Sequence, residues 1–393
     1  MPLIIQQCLQ EILMKMTTKN NLNRTLSDSV KSSIVLALLC FTGYALAETE
    51  DSQWEASGSL ILTYQDINSN SIDDEFQSSA DLFIVKQSES SGWTTHFEIT
   101  TSSRNNAISG KLVEANADAG SALDKDNNGR LQLSEVYYQL GTENNQSWVF
   151  GLVDVSGFFE QSRIASDETT QFLGASFVGN PTIEYPDYTL GVVYEQPIEN
   201  GITIRAALAG SNGISDNAER SYSQLLSVAD SHKGAFAVTS VSWKSELWLL
   251  RTGGWINTAD HTTVKGDKNN IENYGGYFLF GYKQNNHALN FRLGMANKEV
   301  SRAATFTSVA YQFEHHNTTL GLGMARSFLS SEEVNSLLGD VTQYEIYLRQ
   351  KLSSKFFLTA DFQIIDNSDF GVEDLTRDQS LEVWGIRTSY LFD

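Results

Sequence analysis

Two stretches of this chain carry residue types at spacings that could do chemistry. Residues 124–135 read DKDNNGRLQLSE, which fits a twelve-residue calcium loop of the EF-hand type at each defining position. Asp124, Asp126 and Asn128 would supply side-chain oxygens and Arg130 its carbonyl. Gln132 stands where a water often bridges, and Glu135 would close the site with a bidentate carboxylate. Gly129 occupies the sixth position, where the chain turns sharply. Hard oxygen ligands in one chain pass suit Ca²⁺, so a structural calcium ion pinning this segment is the expectation. The context is not a paired hand. Residues 111–123 allow only a short entering helix, residues 131–141 read as a strand, and no second loop of this type follows.

Residues 154–188, DVSGFFEQSRIASDETTQFLGASFVGNPTIEYPDY, form a long connection without a sustained helical or strand period. Long loops of this kind inside compact architectures are usually functional. Phe158, Phe159, Phe172 and Phe177 offer flat apolar surfaces, while Glu160, Arg163, Asp167 and Glu168 offer charge-assisted hydrogen bonds. Sugars call for that combination, because their ring faces stack on aromatics and their hydroxyls pair with carboxylates and guanidiniums.

The elements that must position these stretches are short and alternating. Sixteen segments of about ten residues with alternating polarity follow residue 57, the pattern of membrane β-strands. Within residues 288–296, Leu289, Phe291, Leu293 and Met295 share one face opposite Asn290 and Arg292; in 202–210, Ile202, Ile204 and Leu208 oppose Arg205. In 343–352, Glu345, Tyr347 and Arg349 share the polar side, as do Asp361 and Gln363 in 356–365 and Arg387 in the last segment. Short turns rich in Asn, Ser, Gly or Lys alternate with longer loops, as in outer-membrane barrels. The expected fold is therefore all-β: a transmembrane antiparallel β-barrel of about sixteen strands, of the outer-membrane porin type, forming one domain over residues 48–393. Sixteen strands leave a water-filled channel. The loop 154–188 is then the third long connection, expected to narrow the lumen.

The N-terminus reads as an address. Lys15, Lys19, Arg24 and Lys31 precede SSIVLALLCFTGYALA, the pattern of a signal peptide cleaved after Ala47, with Met14 or Met16 a better start than Met1. Both cysteines, Cys8 and Cys40, fall inside it, so the mature chain would have neither disulfides nor thiol ligands. Formal charge is −21, and losing four basic and two acidic leader residues takes it to −23. That balance argues against nucleic acid. The expected location is the outer membrane of a Gram-negative cell.

With these features in view, the chain resembles the carbohydrate-selective porin (OprB) family. The resemblance rests on residues 151–195, GLVDVSGFFEQSRIASDETTQFLGASFVGNPTIEYPDYTLGVVYE, and on YEIYLRQKLSSKFFLTADFQII followed by LEVWGIRTSYLF near the end. It implies a sixteen-stranded channel passing sugars, with lumen Arg, Glu and aromatic residues around the narrow zone; Glu345, Gln363 and Arg387 correspond by position. The chain departs from that family in ending on Asp393 after Phe392 and in carrying the EF-hand-like loop.

The expected function is passive diffusion of sugars and similar small hydrophilic solutes, with Phe158, Phe159, Glu160, Arg163, Phe172, Arg205, Arg292, Glu345, Arg349, Asp361, Gln363 and Arg387 as pore residues. Expected partners are those solutes, outer-membrane lipid and further copies of the chain in a homo-oligomer. The alternative is a general, cation-preferring diffusion porin. A barrel enzyme is disfavoured because none of the six histidines sits in a recognisable catalytic motif. A calcium-dependent surface protein is the remaining, lesser alternative.

Overall fold

A computed structural model describes residues 54–88, 90–142, 144–226, 233–333, 338–367 and 380–393. The leader assigned to residues 1–47 lies outside them.

Sixteen antiparallel strands close into one barrel. They are β1 (Trp54–Ile67), β2 (Glu75–Gln87), β3 (Ser91–Thr100), β4 (Leu131–Gly141), β5 (Ser147–Val153), β6 (Thr189–Pro197), β7 (Ile202–Gly210) and β8 (Ala235–Lys244). The second half comprises β9 (Trp248–His261), β10 (Ile271–Gln284), β11 (His287–Ala296), β12 (Ala303–His315), β13 (Thr318–Leu329), β14 (Val341–Lys351), β15 (Phe356–Asp366) and β16 (Ser380–Phe392). Each strand pairs with its sequence neighbours, and β1 closes on β16 with Gly58 opposite Phe392. No helix among the described residues is long and apolar enough to cross a membrane.

Period-two alternation decides the faces. Outward stand Leu208, Val241, Leu293, Met295, Val309, Leu322, Ile346 and Trp384, all exposed. Near the short-turn end, paired rings form a girdle: Trp93 with Tyr138, Trp148 with Tyr194 and Trp248 with Tyr282, at centroid separations of 4.9, 4.5 and 4.4 Å. An apolar band edged by aromatics is the outer surface that lipid selects. The turns at this end are tight, and Asn145, Asn200, Asn285 and His316 take positive φ values of 52–61°. Asn tolerates that left-handed backbone, which matches the twist of the flanking strands.

The inner face is not uniformly wet. On β5 to β10, Val149, Val193, Ala207, Ala209, Phe236, Val238, Trp255 and Tyr277 face inward as a continuous apolar cluster. Such a wall would be costly against water and must be covered. Residues 154–188 cover it.

Candidate functional site

The third long connection folds into the barrel. It leaves β5 through a one-turn helix, Ser156–Phe159, whose first residues are turned by the Asp154 carboxylate accepting from the Ser156 and Gly157 amides at 2.9 and 3.2 Å. Phe159 then drops into the apolar cluster with Val155 and Ile183. A second one-turn helix, Ala175–Val178, buries Phe177 beside Phe172, with ring centroids 4.8 Å apart. Phe172 meets Tyr347 edge-on at 4.9 Å.

The wall makes room for these rings by omitting side chains. A Cβ at Gly323 of β13 would stand 2.5 Å from the Phe177 ring and 2.9 Å from Phe172. Gly323→Ala is therefore expected to push both rings off their seat and cost about 1–3 kcal/mol, read as a lower thermal midpoint of the barrel in detergent. An unchanged midpoint would mean the loop is not seated there.

Polar anchoring follows one rule: wall side chains bond the loop's backbone. Arg292 donates to the carbonyls of Phe177 (2.6 Å), Glu160, Ala165 and Val178, and to Ser166 Oγ at 2.8 Å. Its Nε lies 3.4 Å from Glu160 Oε1. Arg251 donates to the Phe159 carbonyl, and Arg349 to that of Thr170. Arg387 serves the carbonyls of Glu168 and Gln171, with Ser389 on Thr169 at 2.6 Å. Glu345 reverses the polarity, accepting from the Leu173 and Gly174 amides at 2.7 and 2.8 Å. An irregular backbone inside a barrel must have its polar groups satisfied, and this row does so.

The preceding long connection is tied down in the same manner. Gln65 and Gln363 each donate to the Ala115 carbonyl at 2.9 Å, and Gln343 to that of Glu114 at 2.9 Å. Gln363 also donates to Asp361 at 2.9 Å.

This geometry corrects the expected pore lining. Phe159, Phe172, Glu160, Arg292, Glu345, Asp361, Gln363 and Arg387 are all buried. Most of them stand behind or within the two inward loops and hold them in place; of the eight, Glu160 alone also borders open space. Phe158 is half-buried against Tyr137, edge-on at 6.3 Å. Arg163 reaches the carbonyls of Ser245 and Glu246 at the turn between β8 and β9, so it fastens the loop to the short-turn end. Arg205 pairs with Glu195 across β6 and β7, and Arg349 is half-buried against Phe357.

The calcium-loop segment is held by hydrogen bonds of its own. Asp124 Oδ1 accepts from the amides of Asp126 and Asn128 at 2.9 and 2.8 Å, and the Asn128 side chain also turns onto it. Gln132 accepts from Arg130 and donates to Ser134. The closing ligand is elsewhere. Because β4 begins at Leu131, Glu135 is carried into the sheet opposite His96, where its carboxylate takes the Asp154 amide at 2.9 Å. In this arrangement Glu135 serves the Asp154 amide, and glutamine side chains tie down residues 114 and 115 of the same connection.

What lines the open space is different. A cavity of about 970 Å³ lies between the two inward loops and the upper ends of β12 to β14. Among the described residues its lining includes seven carboxylates, Glu98, Glu114, Asp154, Glu160, Glu168, Glu184 and Asp187, with Arg302 the one cationic side chain. Burial within the barrel pushes Asp154 up to about 6, with Glu135 adding to the rise, and Asp187 up to about 7, with Asp216 and Asp154 adding. Burial likewise raises Glu168 to about 8, reinforced by the nearby charges of Asp118 and Asp167. All three side chains are largely buried but keep some exposed surface. Glu184 shifts the other way; burial would raise it, but hydrogen bonds from His261, Asn273 and Asn257 together hold it below the usual range.

Sequence reasoning missed Arg251, Glu184 and Asp187. The signal for inward packing was present in the apolar residues on both faces of β5, β7 and β8, such as Val149 beside Phe150 and Ala207 beside Leu208.

No protein-family model matches the chain. An uncharacterized protein of Aquifex aeolicus is 24% identical over 245 residues, covering 62% of this chain and 67% of that one. Pseudomonas putida OprB matches in structure with a TM-score of 0.65 at 12% identity, over 86% of this chain and 94% of that one. OmpF of Salmonella typhi, solved with daunomycin, gives 0.55 at 11% identity over 86% and 97%. OmpT of Vibrio cholerae gives 0.54 at 15% over 88% and 100%. At these identities the likeness is one of architecture, and the chain has the sixteen-stranded porin fold.

Proposed function

We propose that this barrel is an outer-membrane diffusion channel whose lumen favours cations and small polar solutes. The observation that carries the reading is the distribution of charge. Arg251, Arg292, Arg349 and Arg387 are spent on loop carbonyls, while the cavity is lined by seven carboxylates against Arg302. A low-dielectric wall bearing one sign of charge concentrates the opposite ion. No covalent step and no energy coupling is needed; contacts must be weak enough for exit.

The test is the reversal potential of purified protein in a planar bilayer under a KCl gradient. A potential of the sign set by K⁺ supports the reading; one set by Cl⁻, or no conductance, overturns it.

Sugar passage is the second reading, supported by the likeness to OprB and by Tyr185 and Tyr188 beside Ser156, Gln161 and Ser176 in the lining. Tyrosine rings beside hydroxyl and amide groups suit an uncharged sugar as well as a cation. Current that falls in steps as glucose or maltooligosaccharides are added would favour it.

A further inference from the structure

A buried histidine on the lumen wall is surrounded by carboxylates. His96 of β3 is 6% exposed, and its ring stacks on Phe83 at 4.0 Å with an interplanar angle of 11°. Nε2 lies 3.2 Å from Asp81 Oδ1. Nδ1 lies 3.4 Å from Glu135 Oε2 and makes no hydrogen bond. Glu98, directly across from Asp81 in the β2–β3 ladder, completes a group in which one ligand atom from each of Asp81, His96 and Glu98 lies within 4.8 Å of the others.

A neutral imidazole has one N–H and one lone pair. Here both nitrogens face carboxylate oxygen, so the lone pair of the neutral ring must point at negative charge. The pocket therefore calls for a cation, either a second proton on the ring or a metal ion bound through it.

We propose that Asp81, His96 and Glu98 form a binding site for a first-row divalent cation of the Zn²⁺ class. One imidazole nitrogen and two carboxylates are a ligand set for such borderline ions, whereas Mg²⁺ prefers oxygen and retains its waters. Metal–ligand bonds of about 2.0–2.2 Å imply ligand separations of roughly 3.4 Å, within reach of side-chain adjustment from the present spacing. Glu135 then orients the ring from its far nitrogen, the arrangement of a carboxylate–histidine–metal triad. Phe83 fixes the ring plane, and Ser59 donates to Asp81 Oδ2 at 2.7 Å. Glu98 borders the cavity, so an ion can arrive from the lumen and water can fill the open positions. The glutamate that would have closed a calcium loop thus supports a different metal, and the site does not depend on which solutes the channel passes.

The test is calorimetric titration of ZnCl₂ into tag-free, chelator-treated barrel in detergent micelles. His315 and His316 lie 4.2 Å apart at a turn and could bind Zn²⁺ themselves, so the background carries His315→Gln and His316→Gln. One Zn²⁺ per barrel is expected, with Glu98→Gln and His96→Gln each weakening it at least tenfold and Mg²⁺ giving no comparable heat. Zn²⁺ should also raise the thermal midpoint of the parent and not of the variants. Folding of each variant is read from its heat-modifiable gel mobility; if His96→Gln fails to fold, Glu98→Gln decides. No Zn²⁺ binding, equal binding by a folded variant, or equal binding of Mg²⁺ overturns the proposal.

Discussion

Replacing Arg292 with alanine is expected to destabilise the barrel by about 3–5 kcal/mol and at least to double single-channel conductance. The guanidinium is fully buried and reaches four loop carbonyls, the Ser166 hydroxyl and the Glu160 carboxylate. Without it the Phe177 and Val178 carbonyls lose their guanidinium donor, at about 1–3 kcal/mol each where water cannot reach, while the Ser166 hydroxyl still serves those of Glu160 and Ala165. Glu160 also loses its counter-charge. Burial already raises that carboxyl above its ordinary range and Arg292 opposes the rise, so removal drives it towards the neutral form, which limits the loss.

The cheapest relief is for the loop to leave its seat, which widens the pore. Arg292→Lys should fall between, because an ammonium on a flexible stem cannot fork across acceptors on both sides. Arg292→Ala combined with Glu160→Gln should recover part of the stability and none of the constriction. Thermal unfolding in detergent and single-channel recording check these expectations together. A variant with wild-type midpoint and conductance would show that the loop is held by its other anchors.

The second expected result is a cation selectivity that grows with pH. An acid whose value is raised is neutral below it and charged above it. Asp154 near 6, Asp187 near 7 and Glu168 near 8 therefore add three negative charges to the lining between about pH 5.5 and 9. Glu184, held low, stays charged throughout. A unit charge about 5 Å from a monovalent ion in water is worth about 0.8 kcal/mol, roughly a fourfold change in local ion concentration. The K⁺ over Cl⁻ permeability ratio at 0.1 M salt should therefore rise at least threefold across that window and flatten at 1 M salt, where screening shortens to about 3 Å.

Neutralising Glu168 and Asp187 as Glu168→Gln and Asp187→Asn should remove most of the upper part of the rise. Bi-ionic potentials at several pH values measure it. A flat profile in the wild type would mean that these carboxylates do not face the ion path. The charges that act on them are Asp118, Asp167 and Asp81, which raise Glu168, and Asp216 and Asp154, which raise Asp187 against the opposing Arg220.

Alternation alone placed all sixteen strands, because a two-residue period sorts side chains to opposite faces whatever lies beyond the sheet. β4 and β7 have the boundaries read from sequence, while β14 starts at Val341, two residues before the alternating segment. Past the apolar band neither face is selected by lipid, so pairing continues there without a pattern to betray it. The loop at 154–188 was also legible as a long, aromatic, unpatterned connection.

What that loop does with its residues was decided by tertiary structure. Arginines such as Arg292 and Arg387 read as wall charges awaiting a solute, yet their partners are backbone carbonyls 115 and 219 residues away. A carbonyl carries no residue identity, so no spacing in the chain could announce it. The phenylalanines were legible as apolar but not as covered, since coverage depended on an apolar inner wall built from six other strands. Glu135 shows the same limit from the other side. Its position in a calcium-loop spacing is local, but the β3–β4 ladder pairs it with His96, and long-range pairing set where its carboxylate points.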